Sequence, residues 1–376
     1  EGSKQLIRDR LLGILFSQSF DIINRGIGLA EDLNLGCQLA LGFRRGPLDL
    51  MQTMGADETK RIITKFQQDR PGFPGMEKSF SDYQDFKRHI LEDTVDGVKV
   101  ITIRRPQFMN ALNDDVNNEI LAVLKRESSD PGIKGFVITG YGDRAFCAGA
   151  EIGKFPEMLG DAEASGQYAR ECSNLLLYID AMEKPVVAAV NGMALGGGLE
   201  IAIRCHSMVA TKNAAFQFPE ITLGILPGIG GCIVPFRKWP HASKTFDEML
   251  RFGKTVKAAE AKEIGMVKEI AADYYDMITA AVREVNRLQG RIERIPDGTA
   301  KIAEIVTEAQ PMSGRLPLSK EAVGIVEKTI KNGAGATSFK EALEIGYRGF
   351  GEIACTDAAK EGISAFQERR KPEFTR

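Results

Sequence analysis

Histidine is scarce in this chain, and its cysteines do not form metal-binding motifs. The 376 residues include three histidines and six cysteines, and no two cysteines make a Cys-x-x-Cys pair. Zinc sites need several such side chains at short spacings, so we expect no metal ion. Unpaired cysteines usually behave as small buried apolar residues in a reducing compartment, which favours a cytoplasmic protein.

A strong charge of one sign and a long apolar run are also missing. The formal net charge is −2 and no block of lysine and arginine stands out, so we expect no nucleic-acid partner. The most apolar stretches, such as PVVAAVNGMALGGG, are too short and too rich in glycine to cross a bilayer, so we expect no membrane association. No signal peptide is visible, and the start Glu1-Gly2-Ser3 indicates a piece of a longer polypeptide.

The pattern of apolar residues changes along the chain. From residue 4 to 69 they recur at three- and four-residue spacing, which predicts helices, and RPGFPGMEK then marks a boundary. From about residue 94, short apolar runs such as VKVITI, GFVITG and PVVAAV alternate with helical patterns, which is typical of a layered α/β core. We predict a helical segment at 1–75, a linker at 76–92, an α/β core at 93–295 and a C-terminal helical region at 296–376.

Two small-residue loops follow predicted strands and precede helix-like segments. One is CAGAE, after GFVITG, and the other is the glycine run Gly196–Gly198, before LEIAIR. The first backbone N–H groups of a helix have no partner within it, and glycine lets the backbone approach a ligand. Two such N–H groups aimed at one point would form an oxyanion hole.

Two glutamates stand in apolar company close to these loops. Glu200 lies in GGLEIAI and Glu220 in FQFPEITL, and a helix followed by a returning strand would bring them together. Apolar surroundings raise the pKa of a carboxyl group, which prepares it for proton transfer at neutral pH. Taken singly, a glycine run can serve tight packing and a helical glutamate can be solvated. Their combination favours a catalytic site.

From about residue 92 to 376 the chain resembles the crotonase, or enoyl-CoA hydratase/isomerase, family. The segments that carry the resemblance are RPQFMNAL, GDRAFCAGAEI, KPVVAAVNGMALGGGLEIAI, FQFPEITLGILPGIGG, AAEAKEIGMVKEI and TDAAKEGISAFQERRKPEF. Their order along the chain is specific for the family. The resemblance implies an α/β fold: a crotonase-type ββα spiral core with a C-terminal helical region, preceded here by an all-α segment.

The resemblance also implies roles for individual residues. The two oxyanion donors of the family correspond to the backbone N–H groups of Ala150 and Gly197. Of its two catalytic glutamates, Glu200 corresponds to the one that deprotonates the attacking water, and Glu220 to the one that protonates Cα. The coenzyme A and substrate surface corresponds to Asn110, Ala111, Leu112, Ala148, Ile152 and Gly196. The family implies an acyl-CoA substrate, no covalently bound cofactor, no metal and a homo-oligomer, either a trimer or a hexamer.

The first seventy residues resemble a different family. DIINRGIG followed by ALGFRRGPLDLMQTMGAD is similar to the C-terminal helical domain of 3-hydroxyacyl-CoA dehydrogenases. No Gly-x-Gly-x-x-Gly loop after a strand precedes it, so we expect no NAD on this chain. The arrangement resembles part of a dehydrogenase–hydratase fusion of fatty acid β-oxidation.

The resemblance predicts an enoyl-CoA hydratase, but two segments depart from the family pattern. The helix after the glycines ends in Cys205-His206 where the family commonly has Cys-Asp, and CIVPFRKWPH replaces a Thr-Gln-Arg-Leu segment near the acyl pocket. One alternative is another crotonase reaction: CoA-ester or ring-opening hydrolysis, or double-bond isomerisation. Another is a non-catalytic CoA-binding module, which would need neither carboxylate. For His206 we expect a surface or satisfied core side chain.

Overall fold

The computed structural model describes residues 2–151, 153 and 155–374. It divides the chain into two compact units, residues 1–88 and residues 89–376. In the part of the chain that is described, no helix is long and apolar enough to cross a membrane.

The first unit is helical. Its helices are α1 (Gly2–Asn24), α2 (Ala30–Leu41), α3 (Pro47–Met54) and α4 (Ala56–Asp69). Phe16 and Phe20 of α1 bury their rings against Leu48 of α3 and Ile62 of α4. Part of the sequence predicted as a linker, residues 76–88, packs on this core, because its aromatic side chains are apolar enough to be buried there. Among them, Tyr83 is 1% exposed.

The second unit is a mixed α/β structure with four short 3-10 turns. Its first half contains β1 (Ile90–Val95), β2 (Val98–Ile103), α5 (Asp114–Glu127), β3 (Gly135–Gly140), β4 (Ala145–Cys147), α6 (Ala162–Cys172), α7 (Asn174–Ala181), β5 (Val186–Val190), β6 (Met193–Leu195) and α8 (Gly197–Arg204). Its second half contains β7 (Ser207–Thr211), β8 (Ala215–Gln217), α9 (Val234–Lys238), α10 (Ser243–Phe252), β9 (Val256–Lys257), α11 (Ala258–Glu263), β10 (Glu269–Ala271), α12 (Tyr274–Arg287), β11 (Met312–Ser313), β12 (Leu316–Pro317), α13 (Lys320–Gly335), α14 (Phe339–Ala354) and α15 (Asp357–Gln367).

Two sheets organise this unit. The larger has the order β1-β2-β3-β5-β7-β10, and the smaller has the order β4-β6-β8-β9. From β3 to β8 the chain passes alternately from the larger sheet to the smaller one, with helices between the pairs. This ββα spiral confirms the predicted fold class. It also places β4, β6 and β8 side by side and parallel, so the loops that follow them lie at the same edge.

The central strands of the larger sheet, β3, β5 and β7, are buried along their whole length because both faces of the sheet are covered there. In β5, Val187 and Ala189 face α12, where Met277 and Val285 are fully buried, while Val186 and the other alternate residues face the main core.

Residues 296–311, the first part of the predicted C-terminal helical region, form no helix. Pro296 and Gly298 disfavour helix formation, and buried arginines bind the carbonyl groups that a helix would have used. Arg237 donates to the carbonyl oxygens of Pro296 and Gly298, and Arg251 donates to that of Val306. Helices α13, α14 and α15 follow.

Candidate active site

The loops after β4, β6 and β8 carry the main residues of the candidate site. Ala150 follows β4, Gly197 follows β6 as the first residue of α8, and Glu220 follows β8 in a 3-10 turn, Glu220–Leu223. Each lies two or three residues beyond the end of its strand. Neighbouring parallel strands therefore bring together three groups that are far apart in the sequence.

The backbone of Ala150 is oriented by a short parallel bridge to Leu112. The Leu112 N–H donates to the Gly149 carbonyl at 2.8 Å, and the Glu151 N–H donates to the Leu112 carbonyl at 2.8 Å. In a parallel ladder the residue between two bonded neighbours points its own N–H and C=O away from the partner strand. The bridge thus turns the Ala150 N–H away from Leu112.

The N–H groups of Ala150 and Gly197 are neighbours. A Cβ built on Gly197 would lie 3.5 Å from the Ala150 nitrogen, and one built on Gly149 would lie 3.7 Å from the Gly197 nitrogen. Neither N–H donates a hydrogen bond within the residues that the structure describes. Two unpaired donors at adjacent loop ends can bind one oxygen that carries negative charge.

Each glycine of the run Gly196–Gly198 is required for a different reason. Gly196 has φ +48°, and a Cβ there would lie 2.5 Å from Oε1 of Glu220. At Gly197 a Cβ meets nothing closer than 3.5 Å, but it would enter the space beside the Ala150 amide. At Gly198 it would lie 2.3 Å from the Cys147 carbonyl oxygen, so that glycine allows α8 to pack on β4.

Glu200 is buried in the first turn and a half of α8, with 2% of its surface exposed. Its Oε1 accepts hydrogen bonds from the Ile229 N–H at 2.8 Å and the Gly231 N–H at 2.7 Å. Burial raises the pKa of Glu200, while these two N–H groups and the charge of Arg204 lower it. Burial is the largest of these effects, so the pKa lies above the ordinary value for glutamate.

Glu220 has a poorer environment for a negative charge. Its Oε2 is buried and has no hydrogen-bond partner in the described part of the chain. Burial raises the pKa of Glu220 well above its ordinary value, and the neighbouring Glu200 carboxylate raises it further. Because Glu200 accepts two N–H donors, the shared proton is better placed on Glu220. The two carboxyl groups therefore differ, and Glu220 is the more readily protonated of the two.

These observations can be compared with known proteins. Residues 93–310 match the family described as Enoyl-CoA hydratase/isomerase. The chain is 34% identical over 288 residues to the crotonyl-CoA hydratase of Syntrophomonas wolfei, a match that covers 76% of this chain and 97% of the relative. The chain belongs to the enoyl-CoA hydratase/isomerase family. It is also 32% identical over 276 residues to the short-chain-enoyl-CoA hydratase of Clostridium acetobutylicum, covering 73% of this chain and 93% of that protein.

Solved structures agree on the family fold. The enoyl-CoA hydratase from Rhodobacter sphaeroides aligns with a TM-score of 0.60 at 22% identity, covering 77% of this chain and 92% of that one. The carnitinyl-CoA dehydratase from Mycobacterium avium aligns with a TM-score of 0.55 at 24% identity, covering 76% of this chain and 98% of that one. Residues 7–96 match the C-terminal domain of 3-hydroxyacyl-CoA dehydrogenase, which confirms the second resemblance.

Of the other residues that the crotonase resemblance assigns to the substrate surface, Asn110, Ala111 and Leu112 lie before α5, and Ala148 directly follows β4. The Ala148 N–H donates to the Met109 carbonyl at 3.0 Å. Ala111 and Ala148 are half-buried, Leu112 is buried, and Ile152 lies outside the described residues. The Asn110 side chain is 1% exposed and binds the Arg105 N–H and the carbonyl oxygens of Tyr141 and Ala145. Asn110 therefore holds the loop from within.

Sequence reasoning did not single out Arg105, Arg204, Asp180 or Cys232. Arg105 joins the segment before α5 to the segment after β4, because it donates to the Ala111 carbonyl and to the Glu151 carboxylate. Cys232 is buried beside Glu200 and Glu220, and burial together with their charges raises the pKa of its thiol. The signal that could have found Arg204 is its charge, which stands in the otherwise apolar run IAIRC.

His206 follows the C-terminal end of α8, the end opposite Gly197. Its Nδ1 accepts a hydrogen bond from the Val186 N–H at 2.9 Å, and burial lowers the pKa of the ring to about 4. The ring is therefore neutral and fixes the start of β5. Its buried Nε2 has no hydrogen-bond partner in the described part of the chain, so the expectation of a satisfied core side chain is met only at Nδ1. Within residues 2–151, 153 and 155–374, no group of three histidine, cysteine or acidic side chains is arranged to hold a metal ion.

Proposed function

We propose that this protein is an enoyl-CoA hydratase, which adds water reversibly across the double bond of a 2-enoyl-CoA to give a 3-hydroxyacyl-CoA. The observation that carries the proposal is that two unpaired backbone N–H groups and two buried, neighbouring carboxyl groups meet at one sheet edge. The relatives named crotonyl-CoA hydratase and short-chain-enoyl-CoA hydratase support the same reaction.

In the proposed mechanism the N–H groups of Ala150 and Gly197 bind the thioester carbonyl oxygen. As water attacks Cβ, negative charge moves onto that oxygen, where the two donors stabilise it. Glu200 takes a proton from the attacking water and Glu220 delivers a proton to Cα. A proton then passes from Glu200 to Glu220, so both carboxyl groups return to their starting states and the substrate has gained one water.

The substrate surface is proposed to follow the loop of Asn110, Ala111 and Leu112 with Ala148 and Ile152. Arg105 and the buried Asn110 amide hold this loop in place, leaving its backbone to contact the coenzyme A moiety. Gly196 contributes by leaving space for the Glu220 carboxyl.

A spectrophotometric assay with crotonyl-CoA tests the function. We expect the absorbance of the enoyl thioester to fall and 3-hydroxybutyryl-CoA to accumulate to an equilibrium with the enoyl ester. Free coenzyme A, detected with a thiol reagent, would instead indicate hydrolysis, and a shifted double bond would indicate isomerisation. Binding of the CoA ester with no conversion would indicate a non-catalytic module. Any of these three results would contradict the proposal.

The wider setting of the enzyme is also a proposal. We propose that the chain uses no NAD, acts in fatty acid β-oxidation and assembles as a trimer or hexamer. Titration with NAD and analytical ultracentrifugation test the first and last points. All six cysteines are free thiols, which supports a cytoplasmic location.

A further inference from the structure

Arg204 is a fully buried cation at the end of α8, and the reaction steps above do not use it. Its side chain has 0% exposure. Nε donates to Oδ1 of Asp180 at 2.9 Å, and Nη2 pairs with Oδ2 of the same carboxylate. Nη1 donates to the carbonyl oxygen of Ile229 at 3.0 Å. A buried arginine that lost such partners would be left as an unpaired charge in the interior, so the arrangement is strongly constrained.

The turn that accepts from Arg204 is the same turn that binds Glu200. The N–H groups of Ile229 and Gly231 both donate to Oε1 of Glu200, and the Ile229 carbonyl accepts from Arg204. Glu200 and Arg204 are four residues apart on α8, so they project from neighbouring turns of one helix. They thus hold the turn Ile229–Gly231 from two directions.

Gly230 allows this close approach. It has φ +128°, and a Cβ there would lie 3.0 Å from Nη1 of Arg204. The guanidinium group also stands over the ring of Phe339, 5.3 Å from its centroid. Arg204 is therefore held by α7, by the turn and by α14, which leaves it little freedom to move away from Glu200.

We propose that Arg204, anchored by Asp180, is a positioning residue for the hydration reaction: it fixes the turn Ile229–Gly231, which orients the Glu200 carboxylate, and places a positive charge one helical turn from that carboxylate. The proposal rests on the proposed role of Glu200 as the base. It adds two residues, from α7 and α8, that do not touch the substrate but determine the geometry and ionisation of a group that does.

The charged groups around Glu200 determine the direction in which its pKa should change in each variant. The titratable groups that act on it or respond to it are Arg204 on its own helix, Glu220 on the 3-10 turn, Cys172 on α6 and Cys232 beyond Gly231. Arg204 lowers the pKa of Glu200 and so favours the ionised base. Asp180 offsets part of that charge. Removing Arg204 should therefore raise the pKa of Glu200, and neutralising Asp180 should lower it.

The test compares Arg204→Met, Arg204→Lys and Asp180→Asn in crotonyl-CoA hydration. For Arg204→Met we expect kcat to fall at least tenfold with little change in KM. We also expect the acidic limb of the pH profile of kcat/KM to move to higher pH by about one unit, because an opposite charge nearby shifts a carboxyl pKa by about 1–3. Arg204→Lys should restore the limb to within a few tenths of a unit. Asp180→Asn should move the limb downward.

A matched control and a second readout keep the outcome clear. Arg251 is also buried and paired with a carboxylate, Asp247, but does not act on Glu200. Arg251→Met should lower stability and leave the acidic limb unchanged. Infrared titration of the Glu200 carboxyl, identified by its loss in Glu200→Gln, follows the same ionisation without turnover.

Failure of this proposal differs from failure of the proposed function. A wild-type protein that does not hydrate any enoyl-CoA would contradict the function, while the infrared titration would still report the effect of Arg204 on Glu200. Variants that lose activity but keep the wild-type acidic limb and carboxyl titration would overturn the positioning role and assign Arg204 to general stability.

Discussion

Replacing Gly197 by alanine should separate activity from stability. The new Cβ would lie 3.5 Å from the Ala150 nitrogen and 3.8 Å from the Leu112 side chain, which are ordinary contact distances. The protein can therefore hold this methyl group without rearrangement. The methyl group occupies the space beside the two N–H groups, however, and would displace the thioester oxygen from them.

The added methyl group should raise the stability of the protein and lower its activity. Alanine at a compatible glycine position stabilises a protein by about 0.4–1 kcal/mol because it restricts the unfolded chain. Loss of one oxyanion donor in a well-studied enzyme lowers kcat by about 10²–10³, or 2.7–4 kcal/mol. We expect Gly197→Ala to be at least as stable as the wild type and to lose activity by a factor in that range.

Gly198→Ala is the matched control on the next residue. Its Cβ would lie 2.3 Å from the Cys147 carbonyl oxygen, so the backbone of α8 or β4 must move. Overpacking of this kind costs about 1–3 kcal/mol. Urea unfolding and crotonyl-CoA kinetics should give a stable, slow protein for Gly197→Ala and a destabilised one for Gly198→Ala. A Gly197→Ala protein with wild-type kcat would refute the assignment of its amide to the oxyanion hole.

The remaining predictions concern the carboxyl pair and the two units. Glu200→Gln and Glu220→Gln should each lower kcat by a factor of about 10²–10⁴. The double variant should lose far less activity than the product of the two factors, because both residues act on one water. Near-normal turnover in either single variant would remove that residue from the mechanism. Because the folded-state pKa of Glu220 is raised, its contribution to stability is full at acidic pH and is lost as the pH rises through that pKa. Glu220→Gln should therefore have a higher free energy of unfolding than the wild type at pH 8, with a smaller difference at pH 5. Denaturant unfolding at the two pH values tests this, and a larger difference at pH 5 would contradict it. Residues 89–376, which have their own core, should keep the crotonyl-CoA rate constants of the whole chain within a few-fold; a truncated protein that is folded yet inactive would show that the helical unit contributes to the site.

Much of the fold could be predicted from the sequence, because its signals are local. The apolar runs of β3 and β5 are the buried strands that were predicted, and the glycine run lies at the start of α8. The family motifs predicted the spiral core and the membership that the comparisons confirm. The prediction of a helix was wrong at residues 296–311, where Arg237 and Arg251 donate hydrogen bonds to the carbonyl groups that a helix would have used.

The sequence by itself determined the chemical groups of the candidate site: two small-residue loops that can present N–H donors, and two glutamates in apolar company. It carried no distances between them. Only the pairing of β4, β6 and β8 decided that Ala150, Gly197 and Glu220 meet at one edge. Likewise, the link from Asp180 through Arg204 to the turn that binds Glu200 joins residues up to 51 positions apart, from Asp180 to Gly231. Such contacts depend on strand register and helix packing, and each is a property of the whole fold because no short segment contains both partners.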